Sequence, residues 1–243
     1  MLARLLLLLD AKLNFRQTSR LHGVIMERID PSYAAYLHQE SLHPYSQYVL
    51  PADKGNTWWV IQTLSEEAYK NIICQILGGE NSFILGHNDH IEVKILDRRV
   101  ETLSKRELVQ DFYNLPSKKI FSLQFITPTA FRQRKRYIIL PDMRLMCQSL
   151  MMKYSLGSDA VDMMDEEALT QIADGSFITR HNLRSLLFPV EGQTLPGFVG
   201  NVTFRLNGTE TMARYLRLLL SFGEFSGVGI KTSMGMGAIK VLG

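Results

Sequence analysis

The stretch GEFSGVGIKTSMGMGAIKV, Gly223 to Val241, lies at the end of the chain, and the fold is best read outward from it. Five glycines (Gly223, Gly227, Gly229, Gly235 and Gly237) are crowded together here, Lys231 stands among them, and no acidic residue follows Glu224. An apolar helical pattern runs into the stretch and a short apolar run, Ala238 to Leu242, leaves it, so the glycines occupy a loop between a helix and a last strand. Glycine admits positive φ and the close approach of another backbone. The N–H groups of such a loop form a concavity suited to anions, usually phosphate.

Upstream of the loop, Asn207-Gly208-Thr209 caps the helix that runs to Phe222, and Phe177–Phe188 and Phe198–Leu206 read as strands. Residues 157–176 are acidic and polar, an exposed insertion with a short helix. Pro141-Asp142 starts a helix through Tyr154, lined by Leu145, Met146, Ser149, Leu150 and Met152, and its methionines read as packing residues. Ile120–Ile126 is a strand, and Thr127–Arg136 with Tyr137–Leu140 forms a hairpin extension.

The first half shows the same order. Leu2–Leu9 is a strand expected to be buried on both faces. Its five-leucine run ends at Asp10, too short for a membrane span and without a small-residue cleavage site. Thr18-Ser19 caps a helix to about Ile29, and Asp30-Pro31 opens a short helix over Pro31–His38. A strand near Gln47–Leu50 turns at Asp53–Asn56 into Thr57–Thr63. Ser65-Glu66-Glu67 begins a helix with Ala68, Ile72, Ile73 and Ile76 on its core face, ended by Gly78-Gly79. Ile91, Val93 and Ile95 alternate as a further strand. Both halves thus read β-α-β-β-α-β, the split βαβ unit. The expected fold is α+β, with tandem ferredoxin-like (RRM-like) βαββαβ domains over 1–116 and 117–243 and a C-terminal glycine-rich loop.

Charge is uneven. Residues 1–118 carry 13 basic and 14 acidic side chains, whereas 119–243 carry 14 and 10. A polyanionic partner fits the second half, and so does an ordinary solubilising surface. Cys74 and Cys147 share no metal or redox spacing and read as buried free thiols in a reducing compartment. A cytoplasmic protein with no membrane association and no cofactor is expected.

Three segments carry a family resemblance. GVGIKTSMGMGAIKV (227–241) resembles the signature loop of the RAMP superfamily of CRISPR-associated proteins. LQFITPTAF (123–131) with ILPDMRLMCQSLMMKY (139–154) is similar to the start of the second domain in that superfamily's repeat-processing endoribonucleases. RLHGVIMERIDPSYAAYLHQE (20–40) resembles their first helix and the catalytic region after it. The resemblance implies metal-independent cleavage of CRISPR repeat RNA into guide RNAs. The 2′-OH attacks the adjacent phosphate and leaves a 2′,3′-cyclic phosphate and a 5′-OH. It also implies catalysis near His38, in YLHQE. Some family members place a tyrosine in the first helix and a lysine after the histidine. Here Met26 stands at the first place and His43, Pro44 and Tyr45 around the second.

Such cleavage needs a base, an acid and charge stabilisation at the phosphorane. Histidine titrates near working pH. His38 is therefore the leading catalytic candidate, with His43 or Tyr45 as its partner. The bland reading of His38 is a cation at a helix C-terminus. His22 reads as a structural histidine that could face the same cleft. His87 and His90 flank a turn, and a metal site with Asp89 is discounted for want of further ligands. His181 lies with Arg180 and Arg184, better suited to RNA contact.

For binding, Lys231 and the loop glycines Gly227, Gly229, Gly235 and Gly237 are expected at the RNA backbone. Arg132, Arg134, Lys135 and Arg136 form a basic hairpin able to follow a stem. One of the pair Trp58-Trp59 must face inward, since adjacent strand residues point to opposite sides. Two other classes compete. One is a RAMP-type subunit that holds RNA in an effector complex without cutting it. The other is a nucleotide-dependent enzyme, disfavoured because the loop lacks the Gly-Lys-Ser/Thr ending and no helix follows it. Other CRISPR effector subunits and a second copy of the chain are possible further partners.

Overall fold

The computed structural model describes residues 1–86, 91–114, 118–156, 164–190 and 192–242. His87, Asp89 and His90 fall outside the described residues, as does the first part of the 157–176 insertion.

The first half runs β1 (Leu2–Leu9), α1 (Thr18–Arg28), α2 (Pro31–Gln39), β2 (Tyr45–Pro51), β3 (Thr57–Thr63), α3 (Glu66–Ala68), a π-helical segment Tyr69–Ile73, α4 (Cys74–Gly78), β4 (Ser82–Leu85) and β5 (Ile91–Leu103). Its antiparallel sheet has the order β2-β3-β1-β5-β4. Helix α5 (Lys105–Asn114) leads to the second half: β6 (Ile120–Thr129), the hairpin β7 (Phe131–Gln133) and β8 (Arg136–Ile138), α6 (Met143–Leu156), α7 (Glu166–Gly175), β9 (Ser176–Val190), β10 (Gln193–Leu206), α8 (Glu210–Ser226) and β11 (Ile239–Leu242). The second sheet is β11-β6-β10-β9. In each sheet the first strand of the unit pairs with the third and the last, and the second strand lies outside the third. Both units therefore have ferredoxin-like topology, as the repeated element order predicts.

Several local readings change. In β1, Leu5, Leu7 and Leu9 are fully buried, while Arg4, Leu6 and Leu8 are half-exposed, so one face only is core. Helix α1 is not capped by Thr18-Ser19. A 3-10 turn, Phe15–Gln17, precedes it, and Asn14 and Gln17 form a capping box there. Thr18 is buried, its hydroxyl donating to the Phe15 carbonyl at 2.7 Å. Strand β4 has no counterpart in the sequence reading. It alternates over only four residues and gains its identity from pairing with β5. Cys74 is exposed, because Ile72, Ile73 and Ile76 take the inward positions of that helical run; Cys147 is buried.

Trp59 is fully buried and donates from Nε1 to Gln47 Oε1 at 2.7 Å, whereas Trp58 is half-exposed beneath the Arg99 guanidinium. No helix among the described residues is long and apolar enough to cross a membrane.

The two units meet at the C-terminal end of α8. Gln62 donates to the Glu224 carbonyl at 2.7 Å, Arg4 reaches the same oxygen at 3.4 Å, and Ser46 donates to the Phe225 carbonyl. Tyr48 and Val60 of the first sheet pack with Ala238 and Ile126 of the second unit. Helix α5 also packs on the second unit, with Leu108 in the same core as Leu216 and Leu220, and Arg214 donating to the Phe112 and Tyr113 carbonyls. Gln62 is 1% exposed, so replacing it with leucine takes from the Glu224 carbonyl the nearer of its two donors. Gln62→Leu is expected to cost about 1–3 kcal/mol in urea denaturation, with no change in the topology seen by circular dichroism.

Candidate active site

Helix α2 begins at Asp30, whose carboxylate accepts from the Ser32 and Tyr33 amides, and proline at its first position suits that start. It ends with His38, exposed at the C-terminal turn. The chain then folds back through residues 40–44 into β2, which brings His43 and Tyr45 beside His22 of α1. The three rings are nearly parallel: His22–His43 centroids are 6.1 Å apart, His43–Tyr45 5.7 Å and His22–Tyr45 6.2 Å.

Behind this cluster Tyr45 is completely buried, and its hydroxyl lies 2.6 Å from His22 Nδ1. Burial raises the Tyr45 phenol far above its ordinary range, so it stays protonated. Burial also lowers His22 to about 4, with His43, His38 and Lys231 adding smaller effects of the same sign. His22 is therefore neutral near pH 7. His43 is half-buried, and its Nδ1 is 2.8 Å from Ser233 Oγ. Desolvation lowers its pKa, while the Leu37 and Glu40 carbonyls act in the opposite sense.

The glycine loop supplies the facing wall. Lys231 adopts a left-handed conformation (φ 55°, ψ 33°) and starts the 3-10 turn Thr232–Met234. Its side chain is exposed. Gln47 Nε2 donates to the Ser233 carbonyl at 2.7 Å, so the turn is tied to β2 as well as to His43. Together these elements line a pocket of about 870 Å³ that takes in His22, His38, His43, Lys231, Gly229 and Arg132. Met26 lines it too, and so does the exposed Met152, which the sequence reading left to helix packing.

The glycines serve a different end from the expected phosphate cradle. Gly227, Gly235 and Gly237 are buried and out of reach of a ligand; Gly229 alone is half-exposed at the pocket wall. All four have positive φ. A side chain on Gly235 would collide with Thr18, and one on Gly237 with the Val228 carbonyl. The loop amides are also largely spent inside the protein: Val228 on Gly237, Ile230 on Ala130, Gly237 on Pro128 and Gly229 on Ser149 Oγ. The glycines fold the loop tightly, and Lys231 is what the fold presents.

The other binding candidates spread out. Arg132 and Tyr137 line the pocket. Arg134, Lys135 and Arg136 sit exposed on the β7–β8 hairpin, with Arg134 and Lys135 at the turn in positive φ. His181, Arg180 and Arg184 are exposed on β9, outside the pocket lining. Ser149, Ser233 and Lys153 line the pocket without having been singled out for it in the sequence. Lys153 is buried under the loop, and burial pushes its pKa down to about 7. A lysine amid the apolar face of a helix was the available signal for it.

Residues 123–239 match the family profile of the CRISPR-associated endoribonuclease Cas6. A Streptococcus thermophilus protein described as a CRISPR-associated endoribonuclease Cas6 is 35% identical over 222 residues, spanning 91% of this chain and 90% of that one. This chain belongs to the Cas6 family. A Mycobacterium tuberculosis Cas6 is 37% identical over 221 residues, 91% of this chain and 70% of the other. Among solved structures, a Cas6 product complex superposes with a TM-score of 0.83 at 23% identity, covering 100% of this chain and 99% of that one. A Thermus thermophilus Cas6 gives 0.73 at 25%, covering 100% and 98%. The Cas6 likeness thus extends across both ferredoxin-like units.

The buried neutral His22 carries a pH signature. Its folded pKa lies below the unfolded value, so the unfolded state binds the extra proton between the two. Stability is full above about pH 6.5 and falls as pH drops toward 4. His22→Asn is expected to flatten that fall by about 2–3 kcal/mol, read as denaturation midpoints from pH 7 to pH 4.

Proposed function

We propose that this Cas6-family endoribonuclease cleaves CRISPR precursor RNA within its repeats to release guide RNAs, without a metal ion. The observation that carries the reading is the convergence of exposed His38, half-buried His43 and exposed Lys231 on one pocket between the two units. The 2′-OH attacks the adjacent phosphate, the bond to the 5′-oxygen breaks, and the products end in a 2′,3′-cyclic phosphate and a 5′-OH.

His38 is assigned the proton transfer. It is exposed in the last turn of its helix and lines the pocket, where an imidazole can carry a proton to or from the RNA. His43 is placed to share the work, since burial favours the neutral state that a base requires. Tyr45 is a catalytic candidate by sequence, yet its complete burial and its bond to His22 give it a role behind the reacting groups, holding the ring cluster. Lys231 supplies the positive charge that develops its full value against the phosphorane. Arg132 at the pocket, with Arg134, Lys135 and Arg136 on the hairpin, holds the RNA backbone on the approach.

The test is cleavage of a CRISPR repeat RNA in EDTA with analysis of the product ends. The wild-type protein is expected to give 2′,3′-cyclic phosphate termini. His38→Ala should lower the single-turnover rate by about 10²–10⁴-fold while binding persists. A repeat with 2′-deoxyribose at the cut position should bind and remain whole. An unchanged rate in His38→Ala, or a strict need for metal, would remove the mechanism.

A second measurement addresses the binding residues. Neutralising Arg134, Lys135 and Arg136 together is expected to weaken repeat binding and to reduce the slope of log K against log salt by about 2–3. Cleavage at saturating RNA should stay near the wild-type rate.

A further inference from the structure

Lys153 is 1% exposed, and its Nζ donates to three backbone carbonyls: Gly227 at 3.1 Å, Gly229 at 3.2 Å and Ser226 at 3.4 Å. In its protonated form the lysine has three donors, which these oxygens match one for one. The oxygens belong to the end of α8 and the residues just after it, where a helix leaves carbonyls without internal partners and where its dipole is negative. One turn earlier on α6, Ser149 Oγ accepts the Gly229 N–H at 2.9 Å. Positions i and i+4 share a helix face. A single face of α6 therefore grips both polar groups of Gly229, the N–H through Ser149 and the C=O through Lys153.

Gly229 leaves the loop little room to adjust. Its φ is +76°, and an added Cβ would run into the Ala130 carbonyl. Two residues further on, Lys231 turns left-handed, and Ser233 meets His43. The grip at the pocket wall and the Ser233 contact to His43 are thus four positions apart, with the exposed cation between them.

We propose that Lys153, together with Ser149, is a positioning clamp that fixes the glycine loop so that Lys231 and Ser233 face His38 and His43. This rests on the pocket being the ribonuclease site. The two lysines of the pocket then divide the labour. Lys231 offers its charge to the RNA, whereas Lys153 has all three donors engaged by the protein and acts through the loop.

Lys153→Met keeps the stem and removes the donors. Single-turnover cleavage at saturating repeat RNA is expected to fall about 100-fold, with half-saturation within about threefold of wild type, because the substrate is held while the groups facing it are misplaced. In a Lys231→Ala background the same substitution should cost no more than about fivefold, the cation it positions being already gone. Amide hydrogen exchange over residues 227–236 should quicken about tenfold in Lys153→Met, while the β1–β3 peptides keep their protection. Equal rate losses in both backgrounds, or unchanged loop exchange, would overturn the clamp. A wild-type protein that leaves repeat RNA whole would defeat the ribonuclease reading alone, and loop exchange would still decide on Lys153. If Lys153→Met does not fold, Ser149→Ala opens the N–H side of the same grip and is judged by the same two readouts.

Discussion

The last carbonyls of α8 have to find donors outside their own helix, and much of the molecule's arrangement follows from how they do so. The Gly223 oxygen accepts from the Gly227 amide. Glu224 is served by Gln62 and Arg4, Phe225 by Ser46, and Ser226 and Gly227 by Lys153. A helix end left without such partners would bury several unsatisfied acceptors, each costly. The donors come from β1, β2 and β3 of the first unit and from α6 of the second. One helix terminus therefore fixes the relation of the two units and the start of the glycine loop together.

That shared constraint explains why the pocket sits where it does. The loop leaves α8 already oriented, is held at Gly229 by α6, and crosses to the first unit at Ser233. The histidine cluster has independent support from the Tyr45 hydroxyl below it and from the Asp30 cap at the start of α2. Two rigid frames thus meet at the site, one carrying imidazoles and the other carrying Lys231. Repulsion among the basic groups in this space is limited because His22 stays neutral and carbonyl oxygens surround Lys153.

How much of this can be read in the sequence depends on distance along the chain. Periodicity reports which residues of one element share a face, so the β-α-β-β-α-β order and the inward Leu145, Met146 and Leu150 of α6 could be read directly, whereas Met152 of the same set turns outward. The Thr209 cap of α8 and the proline at Pro31 are equally local. His38 could be placed at a helix end for the same reason. The link between His43 and Ser233 joins residues 190 positions apart, and no local pattern encodes it. The glycines were misread for a related reason. Their composition announces an unusual backbone, but whether that backbone faces an anion or its own carbonyls is decided by Ala130, Pro128 and Thr18, which come from other parts of the chain. Tyr45 looked reactive because of its neighbours in sequence. Its zero exposure is a property of packing against α1 and the loop turn.

The turn of the β7–β8 hairpin has an evolutionary side. Arg134 and Lys135 hold φ of 48° and 65°, a region that asparagine and glycine enter more easily than long basic side chains. An Asn-Gly pair would make the hairpin sturdier. Keeping two cations there instead places them at the outermost point of a basic strand pair, at a cost of about 1 kcal/mol per residue in backbone strain. Selection for thermostability alone would drift this turn toward Asn-Gly, so the persistence of charge at the tip is the mark by which a working hairpin could be told from a merely structural one in sequences of this kind.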